Sequence, residues 1–177
     1  MSLLHCAVLA GVVTLAVVPT ALSHDSGEDG RNGNSLGVHT LTVTAASSEA
    51  ERGIGDIGAN GISKSDTYVS TATLRDQSGA VVGSYHVACT ITDEMDDQGN
   101  AWSICSTTAI IDGRGTLVAT GIAQLLQVAT APGGFGVAPP TAELAVVGGT
   151  GLYAGAHGQV TSTRNVSLRT LVYRFKL

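Results

Sequence analysis

The sequence has few charged residues and no cluster of basic ones. Of its 177 residues, 9 are Lys or Arg and 14 are Asp or Glu, which gives a formal net charge of −5. Nucleic acids and anionic lipid surfaces are bound through grouped Lys and Arg side chains. The composition therefore argues against nucleic acid as a partner and against docking of the mature chain on a membrane.

Proline and aromatic residues are also scarce. The chain has 4 Pro and 4% aromatic residues, but 23 Gly. Charged residues make up only 13% and hydrophobic residues 44%, which excludes a disordered chain. Because Thr, Val, Ala and Gly are abundant, strands and tight turns are favoured over helices. The length is that of one ordinary domain.

An apolar run near the N-terminus is typical of a secretory signal. Residues 7–18 read AVLAGVVTLAVV, which is short for a bilayer span of about 20 residues and suits an h-region of about 7–15. Small residues at 21 and 23 predict cleavage before His24, although MSLLHC carries no Lys or Arg. A mis-assigned start codon or a buried strand is the alternative. We therefore predict a signal peptide over residues 1–23, a secreted or exported protein, and a flexible arm over residues 24–37.

Alternating polar and apolar residues predict strands along the rest of the chain. The segment at 51–66, ERGIGDIGANGISKSD, is Gly-rich and fits neither the strand nor the helix period. A helical turn in the middle of 116–129 is an alternative to a strand there. The predicted strands cover residues 38–45, 68–74, 80–92, 101–111, 116–129, 142–147, 159–163 and 171–177.

These strands predict an all-β fold without a second domain. Successive antiparallel strands of this number avoid bare edges by closing on themselves. An eight-stranded barrel has room for one small ligand. We therefore predict a closed, lipocalin-like, eight-stranded antiparallel barrel over residues 38–177, with a two-sheet sandwich as the alternative.

Two cysteines constrain the pairing of the third and fourth strands. Cys89 and Cys105 are each eight residues from Asp97, at the centre of a polar loop. A hairpin folded at Asp97 places them opposite each other, within reach of a disulfide. An oxidising compartment would favour the bridge, and two buried thiols are the alternative. If the Cys89 side chain faces inward, strand alternation also turns the side chains of Tyr85 and Val87 inward.

The segment 143–160, ELAVVGGTGLYAGAHGQV, is the most informative part of the sequence. It lacks the GK[ST] of a phosphate-binding loop. It resembles the segment shared by plant allene oxide cyclases and dirigent proteins, which have a common eight-stranded barrel. Residues 74–79 and 87–91 are similar to upstream parts of the family, so the resemblance covers about residues 65–177.

The departures from the family limit what the resemblance implies. Plant allene oxide cyclases use a first-strand glutamate and a nearby proline, whereas residues 42–55 place Ala46 or Thr44 at the glutamate position and contain no proline. The resemblance therefore implies an apolar, ligand-sized barrel rather than allene oxide cyclisation. Bacterial relatives resemble stand-alone polyketide cyclases, whose chemistry needs a shaped cavity and a hydrogen-bond donor.

These observations predict a cofactor-independent cyclase or isomerase that acts on a hydrophobic, unsaturated small molecule such as a polyketide or oxylipin. A secreted, non-catalytic binder of such a molecule is the alternative. A structural barrel with a filled core is disfavoured by the few aromatic residues. The prediction requires no metal and is compatible with a homo-oligomer. The candidate catalytic donor is Tyr85, and the candidate substrate contacts are Tyr68, Val87, Cys89, Glu143 and Tyr173. Ordinary packing inside the barrel is the alternative for each Tyr, and an exposed position on its strand is the alternative for Glu143.

Overall fold

The computed structural model describes residues 37–57, 63–127, 135–136, 141–165 and 167–177. The predicted signal peptide and the predicted arm up to residue 36 lie outside these residues. No helix in the described part is long and apolar enough to cross a membrane. Two 3₁₀ turns are present, Ser47–Glu49 and Gly151–Tyr153. The strands are β1 (His39–Ala46), β2 (Glu51–Gly55), β3 (Thr67–Arg75), β4 (Val81–Ile91), β5 (Asn100–Ile111), β6 (Gly115–Gln127), β7 (Phe135–Gly136), β8 (Thr141–Gly149), β9 (His157–Arg164) and β10 (Leu168–Lys176).

Eight of these strands close into a barrel, which confirms the predicted fold and excludes the sandwich. Strand order runs β1-β10-β9-β8-β6-β5-β4-β3, and β3 pairs back to β1. Every pairing is antiparallel. The short strand β7 pairs with β6 outside this ring.

The Gly-rich segment at 51–66 differs from its prediction because it contains β2. This strand resumes the course of β1 after the 3₁₀ turn and pairs with β3, with Arg52 opposite Ser70. Its sequence, ERGIG, has glycines that hide the two-residue period. The helical turn considered for 116–129 is wrong, because β6 is a strand through Gln127.

The barrel interior is filled at one end. Side chains alternate strictly between inside and outside along β5, as a strand with one buried face requires. A large apolar cluster packs where β8 ends and β9 begins. Its bulkiest members are Leu74, Leu117, Tyr153, Leu171, Tyr173 and Phe175.

The Gly-Gly-Thr-Gly turn closes this filled end. The Leu152 amide donates to the Arg114 carbonyl at 2.7 Å, and the Thr150 amide donates to the Thr116 carbonyl at 3.0 Å. Behind the turn, the buried Tyr153 ring packs edge-on against Phe175, with ring centroids 5.7 Å apart. The most recognisable segment of the sequence therefore contains the β8–β9 connection, which is hydrogen-bonded to the β5–β6 turn at the filled end.

Candidate functional site

A cavity of about 110 Å³ opens at the other end of the barrel. It is enclosed where β1, β4, β6 and β9 end and where β3, β5, β8 and β10 begin. Small side chains on several strands keep it hollow, among them Ala45, Ala72, Ala123 and Ala142. Pockets for drug-sized ligands have volumes of about 300–1,000 Å³. The cavity therefore suits a ligand smaller than the sequence led us to expect.

Four of the predicted site residues line this cavity. They are Tyr68 on β3 and Tyr85, Val87 and Cys89 on β4. Tyr68, Tyr85 and Cys89 are buried, and Val87 is half-buried. Strand alternation thus identified the inner face of β4, and their roles in ligand binding stay predictions.

Cys89 and Cys105 form a disulfide in the cavity wall. They are partners in the β4–β5 register, with Cα atoms 4.0 Å apart. Both side chains are buried, at 2% and 4% exposure. The bridge also supports a small apolar cluster that includes Tyr68, Ile91 and Leu125. It therefore fixes one wall of the cavity covalently.

Glu143 does not line the cavity, so the structure shows the exposed alternative and not the predicted substrate contact. It is exposed on β8, whereas its neighbours Ala142 and Leu144 line the cavity. Successive side chains of a strand point to opposite faces, so an inward Leu144 turns Glu143 outward. The outer face of β8 also carries Ala145 and Val147, so its polarity did not distinguish the two faces.

Tyr173 also does not line the cavity. It lies in the apolar cluster below, fully buried, and its hydroxyl has no hydrogen-bond partner among the described residues. Burial raises the pKa of Tyr173 far above its ordinary value, and the neighbouring Tyr85 raises it further. Tyr173 therefore forms part of the floor beneath the site rather than its wall.

Tyr85 lines the cavity and keeps its hydroxyl protonated. Burial raises the pKa of Tyr85 above its ordinary value, and the charge of Arg169 and a hydrogen bond with Thr107 only partly oppose that effect. Thr107 in turn donates to the Ala119 carbonyl at 3.4 Å. A tyrosine that stays neutral donates a hydrogen bond rather than accepting a proton.

Three arginines that sequence reasoning missed also line the cavity. Arg52 lies on β2, Arg164 on β9 and Arg169 on β10. Arg52 lies in the irregular Gly-rich segment, and the other two lie just beyond the predicted ends of their strands. Alternation continued back from Leu171 would have placed Arg169 on the inner face.

The polar groups of the cavity are therefore hydrogen-bond donors and cations. The hydroxyl side chains are Ser47, Tyr68, Ser70, Tyr85, Thr107 and Ser162. None of the described lining residues is Asp, Glu or His. No group of three or more metal-ligating side chains occurs in the described part of the chain. Such a site stabilises negative charge on a bound oxygen.

Comparison with solved structures shows which barrels this fold resembles. No protein-family model matches the chain, and no curated protein matches its sequence. The chain is similar to a pyocyanin demethylase (21% identity, 76% of this chain and 100% of that one, TM-score 0.56). It is also similar to a pterocarpan synthase dirigent protein (15% identity, 80% and 86%, TM-score 0.53).

A third similar structure is a heme-binding cyclase that catalyses a [4+2] cycloaddition in neoabyssomicin biosynthesis (12% identity, 80% and 65%, TM-score 0.57). The chain thus shares the fold of dirigent and cyclase barrels. The more specific resemblance to allene oxide cyclases stays a prediction.

Proposed function

We propose that the protein is a cofactor-independent cyclase or isomerase that shapes the ring closure of a small, unsaturated molecule. The observation that carries the proposal is the buried Tyr85, which lines a small cavity and keeps its hydroxyl protonated. Walls that hold a flexible chain in a reactive conformation lower the activation barrier, because less conformational entropy remains to be lost during ring closure. A donor on a carbonyl oxygen stabilises the charge that develops there.

The fold supports the same proposal. A dirigent protein and a cyclase that catalyses a cycloaddition are built on similar barrels. The disulfide also suits an exported protein, since structural disulfides persist in oxidising compartments. Export itself stays part of the proposal.

The test uses 1,7,9-decatrien-3-one, a linear triene whose enone closes onto its diene. The reaction is an isomerisation in which two carbon–carbon σ bonds replace two π bonds, so no oxidant or reductant is required. We expect the purified protein, with a chelator present, to accelerate ring closure and to give one enantiomer in excess. Chiral chromatography of an isomeric product measures both.

Tyr85→Phe tests the assigned donor. The substitution keeps the ring and removes the hydroxyl, so we expect the rate to fall about tenfold while affinity changes little. Tyr153→Phe is the matched control, because Tyr153 lies in the filled end. A triene that displaces an apolar fluorescent probe from the cavity but closes no faster than in buffer would contradict the proposal and favour a non-catalytic binder.

A further inference from the structure

The inner face of the β9–β10 pair carries two arginines directly opposite each other. Arg164 and Arg169 are partners in the antiparallel register, and both line the cavity. Like charges in this arrangement destabilise a sheet. The exposed Arg52 on β2 lines the same cavity, so three guanidinium groups from three strands border one small space.

Arg169 is held in place within this group. Its Nη1 donates to Ser162 Oγ, a buried hydroxyl on β9, at 2.5 Å. Burial lowers the pKa of Arg169, the neighbouring Tyr85 opposes that effect, and Arg164 and Arg52 lower the pKa again. An arginine nevertheless stays charged at neutral pH. Arg169 therefore brings a positive charge to the cavity wall.

The described cavity wall contains no Asp or Glu. A bound anion would accept hydrogen bonds from the Arg169 guanidinium, which Ser162 already orients. The planar guanidinium matches a planar carboxylate in two parallel hydrogen bonds. Much of the remaining wall is apolar or small, including Val87, Leu144 and six alanines, and suits the hydrocarbon part of such a ligand.

We infer that the cavity takes a small apolar carboxylic acid whose carboxylate contacts Arg169, with Arg164 beside it and Arg52 at the rim. This inference rests on the proposed function only in treating the cavity as the ligand site. It names the chemical class of that ligand.

The test compares cinnamate with cinnamamide, two ligands of the same shape that differ in charge. Each displaces N-phenyl-1-naphthylamine, a neutral fluorescent probe, from the cavity at pH 7. We expect cinnamate to bind about tenfold more tightly than the amide, since hydrogen bonds to charged groups exceed neutral ones. In Arg169→Gln we expect the two ligands to bind within about twofold of each other.

Arg174→Gln is the matched control, because it removes the same charge from the outer face of the same strand. It should keep the wild-type preference for cinnamate. Probe binding reports whether Arg169→Gln still forms the cavity, and if that variant fails to fold, the exposed Arg52→Gln should reduce the preference instead.

The outcomes separate this inference from the proposed function. Equal binding of acid and amide to the wild type, or displacement by neither, overturns the inference while the apolar cavity still binds the probe. A preference that survives both Arg169→Gln and Arg52→Gln also overturns it. Failure of the neutral probe itself to bind contradicts the cavity as a ligand site and therefore the proposed function as well.

Discussion

Tyr85 and Tyr173 lie close together inside the barrel, yet their hydroxyls differ in what they can do. Tyr85 lines the cavity, and its hydroxyl has Thr107 as a partner. The Tyr173 hydroxyl is buried with no partner among the described residues. An unsatisfied buried hydroxyl costs about 1–3 kcal/mol. The barrel therefore tolerates an unfavourable group directly beneath the site.

Asp66 is a buried carboxylate that ties together the chain before β3. It accepts hydrogen bonds from the Ile57 amide at 2.7 Å, the Ser63 amide at 2.7 Å and the Ser63 hydroxyl at 3.2 Å. Burial alone would raise the pKa of Asp66, but these hydrogen bonds outweigh it and lower the pKa below its ordinary value. The ionised form is therefore the one that the fold stabilises.

This linkage predicts how Asp66→Asn behaves with pH. An aspartate with a lowered folded pKa stabilises the protein above its unfolded pKa of about 3.9, and that contribution is lost as the pH falls through the folded value. We expect Asp66→Asn to melt several degrees below the wild type at pH 7, because its amide nitrogen cannot accept these hydrogen bonds. The difference should narrow below about pH 4.

Thermal melts followed by circular dichroism from pH 7 to pH 2.5 measure this effect. Asp112→Asn, in the exposed turn between β5 and β6, is the matched control and should follow the wild type. A difference between Asp66→Asn and the wild type that stays constant down to pH 2.5 would show that ionisation of Asp66 does not stabilise the fold.

Among the elements, the end of β8 is limited by space. A Cβ on Gly149 would collide with the carbonyl oxygens of Thr116 and Tyr153, whereas a Cβ on Gly148 meets nothing within 4 Å. Gly148 and Gly149, which are adjacent at the end of β8, therefore differ in whether they tolerate a side chain.

Gly149→Ala should accordingly lower the free energy of unfolding by about 1–3 kcal/mol, as overpacking does elsewhere. Gly148→Ala, the matched control, should change it by less than about 0.5 kcal/mol. Urea unfolding measures both. Below the melting temperature, neither variant should alter binding of the neutral probe, because the turn lies at the opposite end from the cavity. Equal destabilisation by the two substitutions would rule out this steric account.

The β4–β5 hairpin is the element that the disulfide stabilises. The bridge joins residues 16 apart in sequence. Closing a loop of about this length restricts the unfolded chain by about 3 kcal/mol. We expect the double variant Cys89→Ala and Cys105→Ala to lose about 2–4 kcal/mol of unfolding free energy. The reduced wild type should show a similar loss in urea unfolding.

A thiol titration of the denatured, unreduced protein provides the companion measurement. A chain that starts at His24, the predicted cleavage site, should contain no free thiol, whereas a chain that keeps residues 1–23 should contain one, from Cys6. Equal unfolding free energies before and after reduction would contradict a stabilising bridge.

At the scale of the whole molecule, the barrel was largely predictable because one interior face imposes a two-residue period on every strand. The pairing of Cys89 with Cys105 followed from a loop centred at Asp97, and the inner face of β4 followed from parity. The two-residue period did not reveal β2, because glycines interrupt it there. It also did not show which way Glu143 points, because both faces of β8 carry apolar residues.

The cationic part of the site was not predictable in the same way. Arg52, Arg164 and Arg169 are separated along the chain, and no local pattern relates them. Strand closure brings them together, and the register of β9 with β10 makes two of them neighbours. From the sequence alone, a charged residue at the end of a strand is interpreted as solvent-exposed. Only the closed barrel shows that this strand end borders a cavity.

The position of the Gly-Gly-Thr-Gly turn has a consequence for how such proteins diverge. Substitutions around the open cavity can change the ligand without touching the turn, and the turn can be retained for packing alone. Proteins grouped by this segment would therefore share the packing that closes one end of the barrel, while the ligands that they bind differ. The recognisable segment would then identify how one end of the barrel is closed, and the residues at the other end would determine which ligand binds.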